Sequence, residues 1–356
     1  MLYANYYQPD RVKNASFEEI DRHHTFNPTF TNRLLRAEFL KRGVELNNPD
    51  VNIGKEIAFS IFHDGQVNQA ISGPKYIIAT ENPYICPLNQ DKDYLSQFDG
   101  VFTWNPDLLS LPNASQIFIP NQIRCEPFSS FIERPTFSCL INANKAFPQS
   151  LSIDLYRERL NVIRWYQDHA PDFFSLYGLG WNKPAPAFTS ADKLKRRLKR
   201  LATQIYGYKP FPSYRGPIEN KADVYSKAKF AYCYENVADL PDYITEKIFD
   251  AFFSGCVPIY WGSNTIQNYI PSSCYIDRTQ FKSTQEVHEY LLGISEERYQ
   301  EYQYQISQFL LGSVAQRFDT QTYASTIITK ISLDLGLWIR LIYWTMKIPM
   351  PGLVTL

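Results

Sequence analysis

The chain has 356 residues, enough for two domains of ordinary size, and 44% of them are hydrophobic, enough for a sizeable core. The 36 Lys and Arg balance the 36 Asp and Glu, so the basic surplus that marks a nucleic-acid binder is missing. The six cysteines, at positions 86, 125, 139, 233, 256 and 274, have neither zinc-site nor disulfide-framework spacing, which suits small buried thiols in a reducing compartment.

The opening MLYANYYQPD is too polar for a secretory signal, and no apolar run is long enough to span a bilayer, so a cytoplasmic location is the expectation. Leu34, Leu35, Phe39 and Leu40 give a helical face that ends near Gly43. Strand-like segments follow at 57–62, 75–80, 100–104 and 116–120. This alternation predicts an α/β domain with a parallel, doubly wound sheet. No G-x-G-x-x-G turn follows the first strand, so a dinucleotide cofactor is not expected. Glu81 closes the apolar run 76–79, where a carboxylate faces the ligand crevice of such a sheet. It could equally cap the loop beside Asn82 and Pro83.

Irregular, proline-containing sequence from 124 to 148 puts a domain boundary near residue 135, with 136–141 as the first strand of a second domain. A helix at 155–165 leads to a strand at 173–176 and the turn Gly178–Trp181. Six basic residues crowd KLKRRLKR, 193–200. That stretch suits an anionic membrane surface or a donor phosphate, or a solvated helix face whose Leu194, Leu198 and Leu201 pack inward. Tyr214 and Lys221 precede an aromatic-rich strand, 230–234, which ends at Glu235–Asn236. A polar loop comes next, then a helix with Ile244, Ile248 and Phe252 four apart and Gly255 at its stop. Residues 257–261 read as the next buried strand. Near the terminus LGLWIRLIYWTMKIPMPG suits a membrane interface or a helix that crosses back onto the first domain.

The run ENVADLPDYITEKIFDAFFSGCVPIYWGS resembles the donor-binding motif of the α-1,3/4-fucosyltransferases, glycosyltransferase family 10, in a bacterial-type soluble form. The resemblance implies a GT-B-like fold, two Rossmann-like domains facing across a cleft, with 1–135 binding acceptor and 136–356 binding GDP-fucose. The run YRERLNVIRWYQDHAPDFFSLYGLGW resembles the first element of the donor domain, where a helix Arg reaches the pyrophosphate. Arg159 fits that spacing best, and Arg164 and Arg157 compete with it. By the same resemblance Glu81 is the general base, Lys247 joins the Arg at the diphosphate, Glu246 meets donor hydroxyls, and Tyr243 and Asn236 line the nucleotide cleft. Tyr214 and Lys221 border the nucleotide, and Glu235 either contacts donor or bonds loop N–H groups.

No Asp-x-Asp pair stands beside an apolar strand, and Asp91–Lys92–Asp93 reads as a polar loop, so neither a metal nor another cofactor is expected. The reading is an inverting transfer of L-fucose from GDP-β-L-fucose to a hydroxyl of an oligosaccharide or glycoconjugate acceptor. GlcNAc in α-1,3 or α-1,4 linkage, as in Lewis-antigen or lipopolysaccharide synthesis, is the acceptor pattern implied. The rivals are a GT-B transferase for another nucleotide sugar, a non-catalytic glycan-binding relative and a nicotinamide oxidoreductase.

Overall fold

The computed structural model describes residues 1–9, 11–18, 28–65, 71–149, 151–184, 186, 193–194, 197–198, 201 and 209–337. These form two compact units, one built from the chain up to Pro120 and from Arg317 onward, the other from 121–316.

The first unit is a parallel sheet in the order β2-β1-β3-β4-β5-β6. Its strands are β1 (Leu2–Tyr7), β2 (Val44–Asn47), β3 (Ile57–His63), β4 (Lys75–Ala79), β5 (Gly100–Thr103) and β6 (Ala114–Gln116). Helix α1 (Pro28–Leu40) follows β1, and the one-turn α2 (Lys92–Leu95) is capped by Asp91, whose side chain accepts from the Tyr94 N–H. The polar opening of the chain is thus a central strand. Asn5 is buried within it, and Asn52 Nδ2 donates to its side-chain oxygen at 2.9 Å, so the amide is not stranded. The edge strand β6 ends at Gln116, where β5 ends beside it, so 117–120 continues as irregular chain.

The second unit is a parallel sheet in the order β11-β10-β9-β7-β8. Its strands are β7 (Thr136–Ile141), β8 (Phe174–Tyr177), β9 (Ala228–Tyr234), β10 (Val257–Trp261) and β11 (Ile276–Asp277). Helices α3 (Leu155–His169), α4 (Ala222–Tyr225), α5 (Glu246–Phe252), α6 (Thr284–Leu292) and α7 (Glu296–Leu311) accompany it. Strand β9 is buried on both faces, which is why its sequence is an unbroken apolar and aromatic run.

Two boundaries differ from the sequence expectation. Residues 121–135 belong to the second unit because Arg134 ties them there. Its guanidinium is 1% exposed and donates to the carbonyls of Ser129, Tyr225, Ala228 and Ser254 at 2.7–3.1 Å. At the other end, α8 (Thr320–Asp334) is part of the first unit rather than the second. Tyr323, Ala324, Ile327, Ile328 and Ile331 repeat at helical spacing and bury against Leu35, Phe39 and the sheet. The apolar terminal stretch lies outside the described residues beyond Leu337. So does most of 185–208, although Leu194, Leu198 and Leu201 are described and are 60%, 58% and 44% exposed rather than turned inward. No helix among the described residues is long and apolar enough to cross a membrane.

Replacing Arg134 by Met should strand several buried carbonyls and lower stability by about 3 kcal/mol, at about 1–3 kcal/mol for each group left unsatisfied. Denaturant unfolding followed by tryptophan fluorescence reads this. An unshifted midpoint would mean that the 121–135 segment is held by other contacts.

Candidate active site

In an open parallel sheet the ligand crevice lies beyond the carboxyl ends of the strands, where successive connections diverge to opposite sides. The second unit diverges between β7 and β9, because β8 lies on one side of β7 and β9 on the other. Glu235 and Asn236, at the carboxyl end of β9, therefore stand at this point.

Glu235 is wholly buried, yet it is fully engaged. It accepts from the Thr245 N–H at 2.8 Å, from Thr245 Oγ1 at 2.7 Å and from Lys247 Nζ at 3.1 Å. The carboxylate thereby holds the residues that open α5. Gly262 is required beside it, since a Cβ at that position would lie 2.4 Å from Glu235 Cγ and 2.5 Å from the Tyr260 hydroxyl. The loop between β9 and α5 turns through two left-handed residues, Asp239 (φ 55°) and Asp242 (φ 62°). Asp242 is pinned by hydroxyl donors from Thr265 at 2.6 Å and Tyr269 at 2.7 Å. Tyr243, the next residue, is buried.

Of the three candidate arginines, Arg159 faces this strand end. It is 2% exposed, with Nη2 donating to the carbonyls of Tyr234 (2.6 Å) and Glu235 (2.7 Å) and to Asn236 Oδ1 (3.2 Å). Arg164 turns instead to the Pro210 carbonyl and the Phe211 ring, and Arg157 is exposed in the first turn of α3. Tyr214 donates its hydroxyl to the Gly178 carbonyl and packs against the core of this unit.

Lys247 donates to Glu235 and, at 2.9 Å, to Thr245 Oγ1, which leaves one of its three ammonium hydrogens for another partner. Glu246 Oε1 lies 3.7 Å from Lys247 Nζ and 4.0 Å from Lys221 Nζ. Burial pushes its carboxyl up, but the two ammonium groups outweigh that and hold it at about 2. Glu246 is thus an anion across the physiological range, an acceptor for hydroxyl donors rather than an acid or a base. Lys221 is bound to Asp250, a buried carboxylate whose pKa is raised by burial against the pull of that lysine. The sequence reading missed Asp250, although an aspartate in the apolar run IFDAFF was a visible signal. Two cations, Lys221 and Lys247, thus meet three carboxylates, Glu235, Glu246 and Asp250, while Arg159 holds the strand-end carbonyls beside them.

Glu81 lies in the first unit, just past the end of β4. Its Oε1 accepts from the Asn82 N–H at 2.9 Å and from Asn82 Nδ2 at 2.8 Å. Its own N–H donates to Asp64 Oδ1 at 3.0 Å. No group of three or more His, Cys, Asp or Glu that could hold a metal ion occurs among the described residues.

Residues 188–317 match the model of the glycosyltransferase family 10 (fucosyltransferase) C-terminal domain, a match that ends where the chain leaves the second unit. A 74-residue stretch is 36% identical to the α-(1,3)-fucosyltransferase FucT of Helicobacter pylori, covering 21% of this chain and 15% of that protein. A 79-residue stretch is 42% identical to the α-(1,4)-fucosyltransferase of Arabidopsis thaliana, covering 22% and 20%. The chain therefore spans a fifth or less of the length of these curated relatives. Over 93% of this chain and 90% of the other, the fold is similar to a crystal structure of α1,3-fucosyltransferase with GDP, with a TM-score of 0.52 at 12% identity. Sucrose-phosphate synthase from Thermosynechococcus elongatus matches with a TM-score of 0.56 at 11% identity, over 97% of this chain and 100% of that one. Such neighbours, with two parallel-sheet α/β units here, make the fold GT-B-like.

Glu235→Ala should cost about 3–5 kcal/mol of stability, the penalty for breaking a buried ion pair and stranding Lys247. Chemical denaturation measures it, and a loss below about 1 kcal/mol, the scale of an exposed ion pair, would show that Lys247 finds water or another partner.

Proposed function

We propose, for a chain whose residues 188–317 match the model of the glycosyltransferase family 10 (fucosyltransferase) C-terminal domain, that it transfers L-fucose from GDP-β-L-fucose to a glycan hydroxyl with inversion. The observation that carries this reading is the paired-charge cluster around Glu235, inside the segment that matches the family. Glu81 takes the proton of the acceptor hydroxyl as that oxygen bonds to the anomeric carbon of fucose. The bond from that carbon to the β-phosphate oxygen breaks, and GDP leaves with its electron pair. A protonated Glu81 and an α-fucoside remain on the acceptor side.

In this reading the second unit binds the donor. Lys247 gives its remaining N–H to the diphosphate, where a charge-assisted bond is strongest. Arg159 acts through the carbonyls it grips, fixing the Glu235–Asn236 corner, while its charge favours the same anion. Asn236, with its oxygen held by Arg159, retains its NH2 group as a donor. Glu246 accepts from fucose or ribose hydroxyls, and Lys247 and Lys221 together keep it ionised. Tyr243 borders the nucleotide. The acceptor class is a GlcNAc-containing glycan, taken at O3 or O4, and no metal takes part. Lys193, Arg197 and the exposed Leu194, Leu198 and Leu201 would serve a peripheral contact with an anionic membrane surface.

Incubation with GDP-fucose and a panel of N-acetyllactosamine-type acceptors tests the reaction through GDP release. Absence of turnover with every acceptor, together with absence of GDP binding, would refute it. Glu81→Gln should lose nearly all transfer while still binding GDP-fucose, and full retained activity would remove Glu81 as the base. Flotation with phosphatidylserine vesicles tests the membrane contact, which fails if the protein remains at the bottom of the gradient.

A further inference from the structure

The first unit diverges between β1 and β3, so its crevice opens beyond Tyr6 and His63. A chain of polar groups runs from there to Glu81, and the bond directions along it can be assigned from chemistry alone. Asn32 Nδ2 donates to the Ser16 carbonyl at 3.1 Å, which orients the amide so that its oxygen faces Tyr6. An amide oxygen only accepts, so the Tyr6 hydroxyl directs its one proton to Asn32, at 2.8 Å. The Tyr6 oxygen, 2.6 Å from His63 Nδ1, must then accept, and Nδ1 carries a hydrogen.

The same reasoning applies on the other side of the ring. Thr80 Oγ1 lies 3.0 Å from Asp64 Oδ2 and 3.0 Å from His63 Nε2. An aspartate carboxylate at neutral pH has no proton to give, so Thr80 donates to it and accepts from His63. Nε2 therefore carries a hydrogen as well, and it lies 3.7 Å from Asp64 Oδ2.

Asp64 is the hub of the turn that holds Glu81. Its Oδ1 accepts from the Thr80 N–H at 2.7 Å, the Glu81 N–H at 3.0 Å and Asn89 Nδ2 at 2.7 Å. Asn89 Nδ2 also donates to the Glu81 carbonyl, and Trp104 Nε1 to the Thr80 carbonyl. The backbone of Asp64 is left-handed, with φ at 53°, a conformation that carries strain and persists where surrounding bonds determine it. Tyr6 on β1, Tyr323 on α8, Cys86 and Glu81 are the other titratable groups near Asp64.

We infer that His63 holds both ring protons as the counter-ion of Asp64 and is, with Asp64, a positioning residue for Glu81. This rests on the reading of Glu81 as the base. The imidazolium faces the carboxylate that anchors the Glu81 turn, so the charge pair holds the base in one backbone position while the acceptor approaches.

Two measurements test this. In the wild-type protein at neutral pH, nitrogen-resolved NMR of the histidine rings, with His63 assigned by comparison with His63→Gln, should show both His63 nitrogens protonated. A ring with a single proton overturns the charge assignment. Asp64→Asn keeps a residue that tolerates the left-handed backbone while removing the charge, so it separates positioning from folding. It should lower kcat by roughly a hundredfold, the scale of a small misplacement of a catalytic group, with the KM for GDP-fucose unchanged. His63→Gln should act in the same direction. If Glu81→Gln is inactive while Asp64→Asn and His63→Gln transfer at the wild-type rate, the base stands and the positioning role falls. If Glu81→Gln is fully active, the base assignment fails and takes the catalytic part of this inference with it.

Discussion

A carboxylate wholly removed from water is the constraint on which the second unit depends. An isolated buried carboxylate would cost several kcal/mol, so Glu235 can exist at the end of β9 only because donors surround it. Those donors, Thr245 and Lys247, come from the start of the following helix. The loop, the strand end and α5 are therefore fixed together by one group. Each further charge continues the pairing. Lys247 approaches Glu246, Glu246 approaches Lys221, and Lys221 is bound to Asp250. The cluster thus leaves none of these five charged groups buried alone.

Both units use a carboxylate just past a strand end as a hub. In the second it is Glu235, after β9, and it secures the opening of α5. In the first it is Asp64, after β3, and it secures the turn that follows β4. In each case the carboxylate accepts a backbone N–H from a neighbouring segment and lies near a cationic or titratable side chain, Lys247 or His63. Parallel sheets expose their last N–H and C=O groups at the same end, and a short acidic side chain there can bind a connection that the ladder does not reach. The two hubs differ in exposure, since Glu235 has none and the Asp64 side chain has 23%.

Much of the architecture was legible along the chain. Buried parallel strands such as β9 and β10 carry continuous apolar runs, and glycines mark helix ends, so the alternation of elements could be read locally. The position of Arg159 was legible too. It lies on the same face of α3 as Tyr156, Ile163 and Tyr166, all buried, whereas Arg157 and Arg164 lie off it. The strand β1 was not legible, because tyrosines and a buried asparagine make it look polar, and its amide is satisfied by Asn52 from a distant loop. The join of 121–135 to the second unit was equally hidden, since it depends on one arginine reaching carbonyls as far as 120 residues away in the chain.

Local sequence, then, determined the elements, their α/β character and the residue types that gather at strand ends. Those follow from periodicity and composition, which neighbouring residues carry among themselves. Only the folded chain decided which cation meets which carboxylate. Asp250 finds Lys221 across 29 residues, Arg159 finds the end of β9 across 75, and Tyr6 meets His63 across 57. A charged or hydrogen-bonded pair is set by separations of a few ångströms, and those separations depend on strand order and register rather than on distance along the chain.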